Sequence, residues 1–306
     1  MMKKADTDTV MGSIRKVDEL RKVLDGYRPI PPDALKKLLE EIRLRHTYNS
    51  DAIEGNALTF SETRLLIEEG ITIGGKPLKD HIEARNGHEA FGIMMEMAGN
   101  EGRIDHLLVQ KLHEAVTRGI LEDAGRYRTT NVRITGSTTT PPPFTKVVRE
   151  MDGYLDMVNT SESHPVEVSA FIHHGLVRIH PFTDGNGRVA RLLMNLYLIR
   201  KGYVPVVLKK EERNRYYRSL RRADEGDLSD LICLIVRALR ESIQIFLSAV
   251  SDERQLLPLG ELAGDSGYSQ EYLSLRSRQG KLDAVKIDGI WYSSRAALRE
   301  YKGSGR

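Results

Sequence analysis

The stretch HPFTDGNGRVAR, residues 180–191, lies between two apolar helical patterns and combines a histidine, an acid, two glycines and two arginines. Apolar residues recur at helical spacing in HPVEVSAFIHHGLVRIH before it and in RVARLLMNLYLIRKG after it. We therefore predict a loop that joins two buried helices, the second of which begins near Arg188. A chain organised in this way is expected to be mainly α-helical.

The residues of this loop are typical of a phosphate-binding site. Gly185, Asn186 and Gly187 precede the helix, whose first backbone N–H groups lack intrahelical partners and lie at the positive end of the helix dipole. Arg188 and Arg191 are three residues apart and leave the same face of the first turn. Both guanidinium groups can therefore bind phosphate groups of one ligand.

Asp184 and His180 complete the candidate site. Asp184 is placed to hold the Mg²⁺ that accompanies a polyphosphate, and His180 titrates close to neutral pH, as a general base requires. The set indicates transfer of a nucleotidyl or phosphoryl group from a nucleoside triphosphate to a hydroxyl. Taken one at a time, the same residues also fit a C-cap histidine, a Gly-Asn-Gly turn and two solvated arginines.

Composition indicates a globular chain and sets limits on its partners. The 306 residues are 40% apolar and 29% charged, which suits one large domain and a smaller one. A net charge of +3 argues against nucleic acid or an anionic membrane as the main partner. No apolar run is long enough to span a bilayer, no signal-peptide pattern is present, and Cys233 is the one cysteine, so we expect a cytoplasmic protein without membrane contact.

Patterns outside the loop predict further helices and one exposed hairpin. PPDALKKLLEEIRLRH is amphipathic, with Asp33 as its N-cap, and TFSETRLLIEEG has Thr59 and Glu62 at capping-box spacing and Gly70 as its stop. YRTTNVRITGSTTTPPPF, residues 127–144, is rich in Thr, Val and Ile, turns at Gly136 and ends in three prolines. This composition favours a short β-hairpin that pairs with nothing beyond the prolines.

The loop matches H-x-F-x-D-G-N-G-R-x-x-R, the signature of the Fic (Fido) family, at every defined position. The resemblance covers roughly residues 28–246. GRYRTTNVRI is similar to the family's strand leading into an active-site flap, and YYRSLRRADEGDL is similar to its nucleotide-side helix. SDAIEGN, residues 50–56, resembles the inhibitory motif [S/T]-x-x-x-E-[G/N] that some members carry on a helix. The resemblance implies a Fic helical core with a short β-hairpin flap.

The resemblance also implies a reaction. His180 would deprotonate a Ser, Thr or Tyr hydroxyl of a target protein, which then attacks the α-phosphate of ATP, so that AMP stays on the protein and pyrophosphate leaves. Asp184 would hold Mg²⁺ between the phosphates. The anion hole would be formed by the amides of Gly185, Asn186 and Gly187, and the β- and γ-phosphates would be bound by Arg188 and Arg191.

Residues on the base side follow the family less closely. Tyr216 matches the tyrosine that lies against adenine, whereas Asp224 stands where the family has an asparagine and can accept but not donate hydrogen bonds. On the flap, contact with the nucleotide is expected from Gly136, Ser137 and Thr138. Flaps of this family bind the target peptide as an added strand, so the Thr-rich hairpin is the expected docking site for a target protein.

Glu54 and Ser50 of the SDAIEGN stretch predict autoinhibition. A bidentate pair between Glu54 and Arg191 would remove the arginine from the γ-phosphate. Related proteins with this motif also hydrolyse AMP from modified targets, so de-AMPylation, or transfer of another nucleotide moiety, is an alternative activity of the same site. Phosphorylation is disfavoured because Gly185 and Gly187 are intact. An alternative of another class is a DNA-bound regulator that senses nucleotide.

The C-terminal segment predicts a separate module. LPLGELAGDSGYSQEYLSLRSRQGKLDAVKIDGIWYSSRAALREY has the pattern helix, turn at Gly267, helix, two-stranded wing and closing helix, and it resembles excisionase-like and MerR-like winged helix-turn-helix domains. Residues 269–278 would be the recognition helix, and the partner of this module would be DNA or a protein. A homodimer of the chain is a separate expectation. The phosphate contacts would come from Arg276, Arg278, Lys281 and Lys286. We thus divide the chain into an inhibitory helical region (1–95), a Fic core (96–248) and the winged helix (249–306).

Overall fold

The computed structural model describes residues 4–134, 139–264 and 266–303 of the chain. These residues are mainly helical, with a three-stranded sheet near the C-terminus. They form two compact units: Glu40–Val236 with the first residues of the chain, and Ile14–Leu39 with the chain from Arg237 onwards. Among the described residues, no helix is both long enough and apolar enough to cross a bilayer.

Three helices continue from one unit into the other along the chain: α1 (Lys4–Asp25), α2 (Pro32–Glu54) and α10 (Ser229–Ser248). The other helices of the first unit are α3 (Phe60–Glu69), α4 (Leu78–Ala98), α5 (His106–Thr117), α6 (Val147–Thr160), α7 (Pro165–Ile179), α8 (Asn186–Arg200) and α9 (Arg213–Asp224). The capping box predicted for Thr59 and Glu62 begins α3, and Gly70 ends it with a positive φ of 69°.

Helices α7 and α8 lie on either side of a loop, as predicted, and pack against each other. Helix α8 begins at Asn186, two residues earlier than predicted, so the last six residues of the 180–191 stretch belong to it. Pro165 starts α7 behind a capping box made by His164 and Glu167, and His180 ends it in the left-handed conformation. Nearly every side chain of α8 up to residue 198 is buried, and α8 also packs against α4 and α5. A helix surrounded in this way is fixed by its neighbours and fixes the loop in front of it, and its buried polar residues, Asn186, Arg188, Arg191 and Asn195, lie inside the protein.

The segment predicted as a hairpin differs from the prediction. No strand is found in its described residues, 127–134 and 139–144, and the predicted turn residues Gly136, Ser137 and Thr138 lie outside the described part of the chain. Side chains join the two limbs instead of a ladder: Arg128 donates from Nη2 to Pro142 O at 2.6 Å, and Asn131 Oδ1 accepts from Phe144 N at 3.0 Å. The three prolines have no N–H to donate, so this limb cannot form a regular ladder.

Besides its parts of α1, α2 and α10, the second unit contains a small sheet and three short α-helices among the described residues. These elements are β1 (Leu257–Pro258), α11 (Leu259–Gly264), α12 (Gln270–Arg278), β2 (Ala284–Ile287), β3 (Ile290–Ser293) and α13 (Arg295–Gly303), and the antiparallel strands have the order β1-β3-β2. Asp288 and Gly289 form the hairpin turn with positive φ angles of 48° and 86°. The predicted order of helix, turn at Gly267, helix, hairpin and closing helix is present, and β1 is an addition.

Candidate active site

His180 is oriented by the end of α7. Its backbone has φ 51° and ψ 58°, and its Nδ1 lies 3.1 Å from Val177 O. Because a carbonyl oxygen only accepts, Nδ1 carries the proton and Nε2 keeps its lone pair. Arg128 holds the other side of this residue by donating from Nε to the His180 carbonyl at 2.8 Å. Burial lowers the pKa of His180 below its ordinary value, which leaves a neutral imidazole at pH 7.

Asn186 closes the loop on itself. Its Oδ1 accepts from Phe182 N at 3.0 Å and its Nδ2 donates to Phe182 O at 2.9 Å, and both residues are buried. The side chain of Asn186 is therefore used inside the loop. Any anion contact of this residue would come from its backbone N–H, as the resemblance implies.

Asp184 is the one acid of the loop, and its side chain is 51% exposed. Its Oδ1 accepts from Gly185 N at 2.6 Å, and its Oδ2 lies 3.9 Å from Lys79 Nζ. In the described ranges no three His, Cys, Asp or Glu side chains converge on one point. Magnesium that arrives with a polyphosphate needs only one or two protein carboxylates, so this single exposed carboxylate fits such an ion.

The two loop glycines allow close packing on opposite sides. Gly185 has a φ of 78°, and a Cβ there would lie 2.9 Å from Thr117 Cγ2. A Cβ at Gly187 would overlap Oε1 of Glu54. The carboxylate of Glu54 therefore rests against the first turn of α8, where the backbone N–H groups would meet an anion.

Arg191 is fully buried, with 1% of its surface exposed, and every described partner comes from outside the loop. It donates from Nε to Ser50 Oγ at 2.9 Å, from Nη2 to Ser50 O at 3.0 Å and to Glu54 Oε1 at 2.8 Å, and from Nη1 to Tyr216 OH at 3.2 Å. The predicted pair with Glu54 is present, but it has one hydrogen bond instead of a bidentate fork. Ser50 supplies the other contacts with α2.

Arg188 is paired as well, with an acid that the sequence patterns did not single out. It is buried and donates from Nη1 to Glu83 Oε1 at 3.0 Å. Glu83 Oε2 accepts from Asn56 Nδ2 at 3.1 Å, so the last residue of the inhibitory stretch is bonded to the same carboxylate. Both arginines proposed for phosphates thus have carboxylate partners from other helices.

Tyr216 and Asp224 are engaged within the protein. Tyr216 is buried and its hydroxyl lies 3.3 Å from His173 Nε2 as well as beside Arg191. The carboxylate of Asp224 is 2.8 Å from His174 Nε2 and accepts from Thr139 Oγ1 at 2.6 Å. Contacts of these two residues with a nucleotide stay a prediction.

A small cavity lies beside Arg188 and is about the size of one water molecule. Three buried polar side chains line it: Asp51, His46 and Arg188. The carboxylate of Asp51, both ring nitrogens of His46 and Nε of Arg188 have no hydrogen-bond partner among the described residues. Burial raises the pKa of Asp51 to about 8, and Glu83 and Glu54 add to the increase while Arg188 and Arg191 oppose it. Asp51 is therefore a neutral acid at pH 7.

Replacing Asp51 by asparagine is expected to stabilise the protein at neutral pH. Between its ordinary pKa of 3.8 and about 8 the folded state holds a proton that the unfolded state has lost, so the free energy of unfolding falls with rising pH. The fall amounts to at most about 1.4 kcal/mol for each pH unit. Thermal unfolding from pH 5 to 8 should show a flatter decline for Asp51→Asn, whereas the exposed Asp156→Asn should follow the unsubstituted protein. A decline as steep in Asp51→Asn as in the unsubstituted protein contradicts the assignment.

The Fic/DOC family profile matches residues 103–198, which include the loop and the helices on both sides of it. A fragment of Fic-1 from C. elegans has a similar structure, with a TM-score of 0.72 and 32% identity, over 79% of this chain and 73% of that fragment. The chain belongs to the Fic/DOC family.

Other Fic proteins extend the similarity beyond the profile. "Protein adenylyltransferase Fic" of Nematostella vectensis is 34% identical over 80% of this Fic chain and 57% of its own length. A Fic domain containing signaling protein from Bacteroides thetaiotaomicron aligns with 76% of this chain and 96% of its own, with a TM-score of 0.69 and 27% identity. This Fic chain spans about half the length of the curated relatives it matches.

Proposed function

We propose that this Fic-family chain transfers AMP from ATP to a Ser, Thr or Tyr hydroxyl of a target protein and of itself. One observation carries the proposal: the loop between α7 and α8 presents a neutral histidine with an available Nε2, an exposed carboxylate and the N-terminus of a helix. The name protein adenylyltransferase borne by similar relatives supports the same activity.

In the proposed reaction Nε2 of His180 takes the proton of the target hydroxyl while its oxygen attacks the α-phosphate. The new P–O bond forms as the bond to the β-phosphate oxygen breaks, and pyrophosphate leaves. The backbone N–H groups at the start of α8 bind the charge that develops on the α-phosphate oxygens. Asp184 would hold Mg²⁺, which neutralises phosphate charge when it is bound.

We propose further that α2 keeps this site inactive. Arg191 would bind the γ-phosphate, but Ser50 and Glu54 hold its Nε and Nη2. The side chain of Glu54 is 36% exposed, so solvent or another molecule can reach it. Displacement of Glu54 would free one N–H of Arg191 Nη2 and the first turn of α8 in one movement, while Ser50 and Tyr216 keep their bonds to the guanidinium.

The same contact favours AMP removal as a second activity of the site. The carboxylate of Glu54 rests against Gly187, close to where the α-phosphate would lie. A carboxylate there can orient a water molecule for attack on a protein-bound AMP. The described contacts of Tyr216 and Asp224 do not show which nucleotide base the site selects. Transfer of a different nucleotide moiety by the same loop is therefore a further alternative.

Two differently labelled forms of ATP test the proposed transfer. The Glu54→Gly protein is incubated with ATP labelled at the α-phosphate and, separately, at the γ-phosphate. AMP transfer leaves label on protein from the first and none from the second. Label from the γ-phosphate would indicate phosphorylation, and release of α-label from a modified protein by the unsubstituted chain would indicate hydrolysis.

For the C-terminal module we propose a winged helix-turn-helix that binds DNA or docks a protein, which supports the rival view of a nucleotide-sensing regulator. The geometry behind it is the turn at Gly267, helix α12 and the β2–β3 hairpin, with Arg278, Lys281 and Lys286 exposed and Arg276 lying over Tyr272. Phosphate contacts by these groups predict binding of random duplex DNA that weakens as salt rises. A mobility shift at low salt tests this, and no shift favours a protein partner.

We also propose that the target protein docks on the segment of residues 127–144. The homodimer, the division of the chain at residues 95 and 248 and the cytoplasmic location are further proposals. Support for the docking site comes from Arg128, which joins this segment to the carbonyl of His180. A target bound there would lie beside the base.

A further inference from the structure

His113 lies on α5, outside the family signature, and contacts Phe182 and Asp184 of the loop. Its ring stacks on Phe182 with the centroids 3.7 Å apart and the planes at 3°. Its Nε2 lies 3.0 Å from Asp184 O, and its Nδ1 lies 2.9 Å from Gly125 N. The side chain is completely buried. These contacts join the loop to α5 and to the residues that precede the 127–144 segment.

The two backbone partners fix the tautomer of this histidine. The Gly125 N–H can only donate, so Nδ1 accepts. The Asp184 carbonyl can only accept, so Nε2 carries the proton and donates. Both bonds are satisfied by one neutral ring, and no other tautomer satisfies both.

The bond to Asp184 sets the direction of one peptide unit in the loop. In a planar trans peptide the C=O and N–H bonds point in opposite directions. Because His113 holds the carbonyl of Asp184, the N–H of Gly185 in the same peptide points away from α5, where Oδ1 of Asp184 accepts it at 2.6 Å. Gly185 cannot move towards α5, since Thr117 and His113 already fill the space beside it.

We propose that His113 is a positioning residue for the transfer reaction, acting through the peptide between Asp184 and Gly185. It directs the Gly185 amide away from α5, and that amide donates to Oδ1 of Asp184, so the exposed carboxylate is held in place just before the start of α8. This inference rests on the proposed function, because its readout is AMP transfer. It adds a residue from α5 to a site otherwise formed by α2, α4, α8, α9 and the loop.

Two variants separate the hydrogen bonds from the stacking. His113→Phe keeps an aromatic ring on Phe182 and removes both hydrogen bonds. His113→Gln keeps an N–H that can reach Asp184 O. In the Glu54→Gly background we expect kcat of His113→Phe to fall about tenfold or more, with KM for ATP within about threefold. His113→Gln should keep kcat within about threefold of its parent.

His81→Phe is the matched control. His81 is also buried and also joins two backbone groups, since its Nδ1 donates to Pro77 O at 2.9 Å and its Nε2 accepts from Ile73 N at 2.9 Å. Thermal unfolding should show a comparable loss of stability in His81→Phe and His113→Phe. Only His113→Phe should lose kcat.

The outcomes are distinguishable. An unchanged kcat in His113→Phe, an equal loss in His81→Phe, or a loss in His113→Gln as large as that in His113→Phe would each overturn the positioning role. If His113→Phe does not fold, His113→Gln is compared with its parent: a kcat within about threefold is the expected result, and a larger loss overturns the role. If the Glu54→Gly parent itself transfers no label, that result contradicts the proposed function, and it is distinguishable from a loss seen only in His113→Phe.

Discussion

The Glu54→Gly protein is expected to incorporate AMP from α-labelled ATP about 10- to 150-fold faster than the unsubstituted protein. Glu54 holds Nη2 of buried Arg191 at 2.8 Å, and glycine leaves that donor for the γ-phosphate. A hydrogen bond between charged groups contributes about 1.5–3 kcal/mol, which corresponds to this range of rates. The measurement is the initial rate of label incorporation at an ATP concentration below KM.

A matched substitution isolates the charge from the change in the helix end. Glu69 is the last residue of α3 and precedes Gly70, as Glu54 is the last residue of α2 and precedes Gly55; both glycines have positive φ angles. Glu69 is exposed, and Glu69→Gly should leave transfer unchanged. Equal rates for Glu54→Gly and the unsubstituted protein would remove the inhibitory role.

His180→Ala, in the Glu54→Gly background, should lower the rate of AMP transfer by about 10²- to 10⁴-fold, the usual contribution of a general base. The hydrogen bond from Nδ1 to Val177 O leaves Nε2 as the acceptor for the target hydroxyl, and alanine has no replacement for it. Affinity for ATP should stay close to that of the parent, because Arg188, Arg191 and the start of α8 are unchanged.

His88→Ala serves as the histidine control, since His88 lies on α4 and faces Glu40. Its rate of transfer should match the parent. Labelling by His180→Ala at the parental rate would show that the histidine is not the base, and the nucleotide-sensing view would then gain support. Calorimetric titration with ATP checks that any loss lies in the reaction and not in binding.

Local patterns in the sequence were sufficient to predict the elements at the centre of the candidate site. Periodic apolar residues predicted α7 and α8, and the resemblance of the 50–56 stretch predicted that Glu54 would meet Arg191, which lies 137 positions further along the chain. The capping box at Thr59 was predicted from spacing alone. The helices and the capping box depend on residues a few positions apart. The Glu54–Arg191 pair depends on two family motifs that occur together.

Other contacts could not be predicted, because they arise only when helices pack. Glu83 and Arg188 are 105 positions apart, and the sequence around Glu83 is that of an ordinary helical acid near Lys79. His113 carries no mark in α5 that distinguishes it from a core histidine. Residues 127–144 have strand-forming composition, yet Arg128 and Asn131 bond the limbs through their side chains, which propensity does not report.

The two ends of α7 make the position of the base depend on the number of residues between them. Pro165 and its capping box fix where the helix starts, and His180 is the first residue after its fifteen-residue length. Each residue of an α-helix turns the chain by about 100° and advances it by about 1.5 Å. Removing one residue from α7 would thus swing His180 by more than a quarter of a turn, even though every side chain in the loop were kept. Deleting one residue from α7 is therefore expected to disturb the position of His180 more than most substitutions within the site.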